Sequence, residues 1–325
     1  MIRLRIGTRG SPLALVQARE VVNVLTDRSD AACELVTIRT SGDQMADQSL
    51  GDVGGKRLFV KEIEDALLTG TIDLAVHSSK DLPVDLPDGL GIGAVLPRED
   101  PADVWVEREA RSGTFDTLTR SVMGGTRIGT GSVRRIAHLR PLLPQARFEP
   151  IRGNVDTRLR KLDRGDYDVI VLASAGLRRL SLAHRVTAPI PVDVCVPAPG
   201  QGIIAIEIRS DDGAARRALA ALDDPSAAMA LTTERALVAE LGGGCQMPIG
   251  ALCRPIGAHD DTIEILATVA SLDGTRLVRC RQQGSRQAPQ ELGRRAAHEL
   301  LRQGAGDILA EAKAEGSSVA DPHGP

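Results

Sequence analysis

One pattern occurs twice in this sequence and fixes most of what the chain can become. Ile6-Gly7-Thr8-Arg9-Gly10-Ser11-Pro12 and Ile128-Gly129-Thr130-Gly131-Ser132 each place a strand end, a glycine turn and a serine ahead of a helical run. Serine is a favoured N-cap, and proline suits the first helical position because its φ is preset and it has no N–H to leave unbonded. The first copy follows the alternating Ile2-Arg3-Leu4-Arg5-Ile6 and predicts a helix to about Leu25; the second predicts a helix that opens with Arg134 and Arg135. Strand, turn and helix repeated in this way predict two α/β lobes, with ligand-contacting residues at the C-terminal ends of the strands. Each helix start can aim free backbone N–H groups, with Arg9, Ser11 and Ser132, at an anion. The same glycines also suit a plain tight turn.

Taken in order, Cys33 to Thr40 reads as a strand, and Ser41 to Gly55 as a polar loop long enough to be a lid. Lys56 to Leu68 has helical spacing through Phe59, Ile63 and Leu67. Ile72 to Val76 is a short buried strand that delivers His77-Ser78-Ser79-Lys80-Asp81-Leu82-Pro83, and Leu90 to Leu96 is the next strand. Arg98-Glu99-Asp100-Pro101 marks the exit from the first lobe, since the residue before proline is held extended. In the second lobe Arg152-Gly153-Asn154 precedes a helix carrying Arg158, and the strand Tyr167 to Ala173 leads to Arg178 and Arg179. The proline-dense Pro189 to Pro199 is the return crossing, after which Gly200-Gln201-Gly202 and a strand from Ile203 to Ile208 complete the first lobe. The lobes are therefore expected at 1–99 with 198–218, and at 100–197. A C-terminal domain is expected at 219–314, with helices Asp211 to Leu222 and Ser226 to Leu241 leading into it. Its strands are Ile249 to Arg254, Thr262 to Ser271 and Arg276 to Gln283, the last two joined at Asp273-Gly274, a hairpin signal. Helices at Pro289 to Gln303 and Gly306 to Ala314 cover one face, and 315–325 reads as a disordered tail.

Composition narrows the function. The 40 Lys and Arg nearly balance 43 Asp and Glu, so no global field draws in nucleic acid. One Trp, one Tyr and three Phe leave little on which to stack bases. No apolar run approaches the roughly 20 residues of a membrane span, and the expected compartment is the cytoplasm. Five scattered cysteines fit reduced thiols rather than a disulfide framework.

Two local features carry chemistry. In Leu241-Gly242-Gly243-Gly244-Cys245-Gln246-Met247-Pro248-Ile249-Gly250, the glycines leave no side chains around the thiol, so a bulky group can reach it or stay attached. A buried structural cysteine and a redox thiol are the alternatives; Cys245 and Cys253 lack the CxxC spacing of a zinc site. Arg134 and Arg135 stand at the helix end that disfavours cations, which points to a bound anion. Any single arginine can equally be a solvated surface charge, and Asp81 can be a turn residue.

Together Thr8-Arg9-Gly10-Ser11-Pro12-Leu13-Ala14-Leu15, Val53-Gly54-Gly55-Lys56, Phe59-Val60-Lys61-Glu62, His77 to Pro83, Arg152-Gly153-Asn154-Val155, Pro199-Gly200-Gln201-Gly202 and Gly243 to Gly250 resemble the porphobilinogen deaminase (hydroxymethylbilane synthase) family over the chain up to about residue 314. The resemblance implies two lobes like those of type II periplasmic binding proteins with a cleft between them. It adds a smaller α+β C-terminal domain with a three-stranded antiparallel sheet. It implies a monomeric transferase of tetrapyrrole and heme biosynthesis, without a metal, that joins four porphobilinogen molecules head to tail on an enzyme-bound dipyrromethane. Hydroxymethylbilane and ammonia are released. On this reading Cys245 carries the dipyrromethane through a thioether, and Ser78, Lys80, Thr130, Gly131, Ser132, Arg134 and Arg135 hold it. Arg9, Ser11, Lys56, Phe59, Arg152, Arg158, Arg179 and Gln201 bind porphobilinogen and the growing polypyrrole, whose carboxylates suit arginine. Asp81 is the implied catalytic residue, stabilising the positive charge that develops as the amine leaves. Gly131 stands where many members have a second hydroxyl, and Arg57 where a glycine is common.

Two other classes use part of these features. A solute-binding module explains two lobes but not Cys245 or a third domain, and such proteins are usually exported. A sugar-phosphate or nucleotide enzyme explains the helix starts, but no Walker-type Gly-Lys-Ser/Thr ending or complete GxGxxG is present.

Overall fold

The computed structural model describes residues 2–29, 31–41, 60–109, 113–243, 247–257 and 261–318. The lid expected at Ser41 to Gly55 lies, apart from Ser41, outside them.

The repeated pattern builds two sheets of the same order. In the first lobe, β1 (Ile2–Arg9), β2 (Ala31–Ile38), β3 (Leu74–Ser78), β4 (Leu90–Val95) and β10 (Ile204–Arg209) lie in the order β2-β1-β3-β10-β4. In the second, β5 (Asp103–Glu107), β6 (Arg127–Gly129), β7 (Arg147–Glu149), β8 (Val169–Ala173) and β9 (Ala188–Pro189) lie in the order β7-β6-β8-β5-β9. In both, the first three strands are parallel and the fourth is antiparallel to its neighbours. That fourth strand is the one the chain forms immediately after crossing between lobes, so each lobe is closed by a segment arriving from the other.

Helix α1 (Pro12–Arg28) starts where the turn chemistry predicts, with Ser11 Oγ accepting from Ala14 N at 3.3 Å. It buries Ala18, Val21 and Leu25 against Leu4, Ile6 and the β10 isoleucines. Helix α2 (Lys61–Leu68) packs Ile63 and Leu67 on the other face of the same sheet. The second lobe adds α3 (Phe115–Arg120), α4 (Val133–Leu139), α5 (Val155–Asp163) and α6 (Ser174–Arg179) around Trp105 and Ile128 on one face and Val106 and Ile170 on the other. Ser132 caps α4, accepting from Arg135 N at 3.4 Å.

The two crossings run side by side: Glu99 N donates to Gly202 O at 3.1 Å, and Ile190 N donates to Asp103 O at 2.8 Å. Gly202 has φ +91°, and a Cβ there would lie 2.2 Å from Glu99 O, so only glycine fits.

The chain then forms α7 (Gly213–Leu219), α8 (Pro225–Glu240), an antiparallel meander of β11 (Ile249–Ile256), β12 (Thr262–Ala270) and β13 (Leu277–Ser285), and helices α9 (Pro289–Arg302) and α10 (Ala305–Ser318). Leu237 and Val238 of α8, with Ala296 and Leu300 of α9 and Ile308 and Leu309 of α10, cover one sheet face. The other face meets the second lobe through Val196, Leu252 and Leu266. Leu219 and Leu222 pack in the first-lobe core, so that core runs past the boundary expected at 218. The tail expected from 315 is corrected: α10 continues to Ser318. A helix anchored by Ile308, Leu309 and Ala312 propagates through good formers such as Ala314 and Glu315 at little cost. Residues 319–325 lie outside the described residues. No described helix is long and apolar enough to cross a membrane.

Candidate active site

Because β1 and β3 are parallel, their C-terminal ends meet on one edge, where α1 begins. There Arg9, Ser11, Gln17, His77, Ser78 and Asp81 are among the residues lining a small cavity of about 60 Å³. β3 ends in a single 3-10 turn, Ser79–Asp81, that leaves Asp81 exposed and Lys80 half-buried. Behind it His77 Nε2 stands 3.1 Å from Glu207 Oε2, both buried, at ion-pair distance but not aligned for a hydrogen bond.

The second lobe presents a carboxylate that sequence reasoning missed. Asp103, the first residue of β5, is fully buried between Arg134 and Arg135. Arg134 Nη1 is 2.8 Å from its Oδ2; Arg135 donates to Oδ1 from Nε at 3.0 Å and Nη2 at 2.8 Å. Cys195 Sγ donates to Oδ2 at 3.4 Å, and Gln201 Nε2 donates to Oδ1 at 3.0 Å. Burial favours the neutral acid, but Arg134 and Arg135 outweigh it and hold this carboxyl well below the usual carboxylate range. The anion expected from two cations at a helix start is thus, in the first instance, the chain's own. An acid heading the apolar run Val104-Trp105-Val106 was the available signal.

The two sides share one electrostatic site. Burial lowers the Lys80 ammonium to about 8, with Arg135 and Arg134 pushing the same way and Asp81 and Asp103 opposing. Arg158 is lowered to about 10 by burial and then by Arg135, while Asp81 opposes. Lys80 and Asp81 belong to the first lobe, and Asp103, Arg134, Arg135 and Arg158 to the second.

The remaining candidates are distributed around this centre. Thr130 is buried and its Oγ1 accepts from Ser132 N at 3.2 Å; Gly131 is exposed, and a Cβ there would lie 3.2 Å from Ile151 O. Arg152 is half-buried, and its carbonyl accepts from Lys161 Nζ at 3.2 Å. Arg158 Nε donates to Gly153 O at 2.8 Å. Gln201 is buried in the crossings, donating to Pro101 O at 2.6 Å as well as to Asp103. Arg179 is engaged with Glu20 and Gly202 O. Lys56, Arg57, Phe59 and Cys245 lie outside the described residues. On the near side of the Cys245 loop, Gly242 has φ +58°, and its carbonyl accepts from Lys313 Nζ at 2.9 Å.

The donors fit an acidic organic group. Lys80, Arg134, Arg135 and Arg158 outnumber the carboxylates of Asp81 and Asp103 that act on them, and among the described residues the buried Ser79 hydroxyl, a potential donor, has no partner. Residues 4–217 match the family model "Porphobilinogen deaminase, dipyromethane cofactor binding domain", and residues 228–302 match "Porphobilinogen deaminase, C-terminal domain". The chain belongs to the porphobilinogen deaminase family. A porphobilinogen deaminase of Moorella thermoacetica is 46% identical over 97% of this chain and 98% of its own length. Those of Syntrophobacter fumaroxidans and Desulforudis audaxviator are each 47% identical, over 90% and 95% of this chain and 92% and 97% of theirs. Among solved structures, the periplasmic aliphatic sulphonate binding protein SsuA of Escherichia coli is 14% identical over 74% of this chain and 70% of its own, with a TM-score of 0.39. The region matched by the dipyrromethane-binding model includes both lobes, and hence both Lys80 and Asp103.

Proposed function

We propose that this chain performs its family's reaction at the site shared by Lys80 and Asp81 of the first lobe and by Asp103, Arg134, Arg135 and Arg158 of the second. The reaction deaminates four porphobilinogen molecules, joins them head to tail on an enzyme-bound dipyrromethane and releases hydroxymethylbilane and ammonia. When bound, the dipyrromethane supplies the terminal pyrrole to which the first substrate is joined; Cys245 is its point of attachment. Arg134, Arg135 and Lys80, with donors from Ser78, Thr130 and Ser132 and space at Gly131, hold its carboxylates. Arg9, Ser11, Arg152, Arg158, Arg179 and Gln201, with Lys56 and Phe59, take those of porphobilinogen and the lengthening chain. Each porphobilinogen brings an acetate and a propionate, so charge-assisted bonds to arginine are the fitting recognition chemistry.

Asp81 is the exposed acid in that basic surround. Its carboxylate stabilises positive charge on the substrate pyrrole as the amine leaves, and can take the proton from the attacked α-carbon. The single observation that carries this reading is the buried cluster in which Arg134 and Arg135 hold Asp103 and Gln201 of the return crossing joins the same carboxylate. We also read the lobes as type II binding-protein-like, on their shared strand order, and the protein as a monomer acting without nucleic acid or membrane.

Intact mass of the purified protein tests the reading. The parent should carry the added mass of two linked pyrroles, and Cys245→Ala should be folded, unmodified and inactive. An adduct on another cysteine, or an active Cys245→Ala protein, would remove the attachment point from this scheme.

A further inference from the structure

Arg179 ends α6 on the second lobe, and its partners come from elsewhere. Its guanidinium side chain is only 7% exposed; Nε donates to Glu20 Oε2 of α1 in the first lobe at 3.2 Å, and Nη2 donates to Gly202 O in the return crossing at 3.0 Å. Glu20 is 41% exposed. Beside this pair Arg178 Nη1 stands 3.6 Å from Glu99 Oε1 in the outward crossing. Leu13 of α1 comes within 3.6 Å of where a Cβ on Gly176 of α6 would stand. The start of α1 and helix α6 therefore close on one another, and Glu20 with Arg179 is the charged contact at that closure. An ion pair with one partner this open to water is weak, because solvent and salt compete for both charges. A second carboxylate arriving at Arg179 has only that weak hold to overcome.

We propose that Glu20 is a specificity-determining residue, whose carboxylate takes on Arg179 the place that a pyrrole carboxylate takes when the cleft is loaded. Filling the site and releasing the lobe-to-lobe contact are then one event. A pyrrole without an acid group at that position cannot displace Glu20 and leaves the contact closed. An acid-bearing one exchanges one carboxylate for another, so the guanidinium stays paired while the lobes become free to separate around a longer chain. The inference rests on the assignment of Arg179 to the substrate's acid groups made above.

Glu20→Gln keeps the shape, deletes the charge and lies on the surface. With the dipyrromethane-loaded enzyme, the Michaelis constant for porphobilinogen should fall about threefold or more, the scale of a half-exposed pair. The turnover number and thermal midpoint should stay near those of the parent. An unchanged Michaelis constant would mean that Glu20 does not compete, and a raised one that it holds Arg179 in place; either overturns the inference. A parent protein without the pyrrole adduct or turnover would instead overturn the functional reading on which it rests.

Discussion

His138 Nε2 lies 3.0 Å from Thr268 Oγ1, which ties the helix bearing Arg134 and Arg135 to the central strand of the C-terminal domain. The other ring nitrogen, Nδ1, is 2.8 Å from Arg134 O, a carbonyl that can only accept. Nδ1 therefore carries the hydrogen, and Nε2 accepts from the threonine hydroxyl: the bonding pattern of a neutral imidazole. Burial lowers this imidazole to about 4, opposed by its bond to Arg134 O.

A pH dependence of stability follows. The unfolded chain takes up a proton near 6.5 and the folded one only near 4. Stability from neutral His138 is therefore fully present above about 6.5 and is lost as pH falls through that window toward 4. The loss is on the order of 3 kcal/mol. Urea unfolding at stepped pH should show it, and His138→Gln should flatten the curve between these limits. An equally steep curve in the variant would assign the acid sensitivity to other groups.

Asp103→Asn leaves two buried guanidiniums sharing a neutral amide. Breaking a buried ion pair on one side costs about 3–5 kcal/mol, so the urea midpoint should drop sharply. Gln201→Leu removes one hydrogen bond to the same carboxylate and one to Pro101 O but keeps every charge, and its loss should be closer to about 2 kcal/mol. Equal losses in the two variants would show that packing, not charge, governs the cluster.

Asp81→Asn preserves size and deletes charge on an exposed turn, so folding and pyrrole loading should survive. If the carboxylate supplies roughly 4 kcal/mol to the transition state, initial rates should fall by about three powers of ten. Asp81→Glu keeps the charge out of place and should recover part of that loss. A near-parental rate for Asp81→Asn would return this residue to a turn role.

What was legible in the sequence was local. Glycine, serine and proline chemistry placed both strand-to-helix junctions, and alternation placed the three-stranded meander. Ends were less legible: α1 runs three residues past Leu25, to Arg28, where Ser29 N closes it on Leu25 O at 2.8 Å. β3 sits two residues later than its apolar run suggests, because pairing with β10 extends through Ser78. The partners of the arginines were illegible for a different reason. Asp103 meets Arg135 across 32 positions, and Glu234 meets Arg98 across 136, so no spacing rule connects them. Two cations against a helix dipole announced an anion, but not that the chain itself supplies it.

Helix α8 belongs to two cores at once. Ala227 and Leu231 pack with Val60, Leu82 and Val95 of the first lobe, while Leu237 and Val238 pack in the C-terminal domain. Glu234, between them, accepts from Arg98, from Gly200 N at 2.6 Å and from Cys253 N at 2.8 Å. The C-terminal domain is therefore not a detachable module. A chain cut after α7 would expose an apolar flank of the first lobe and strand Arg98 without its acid, so grafting, swapping or losing this domain has to carry α8 along with it.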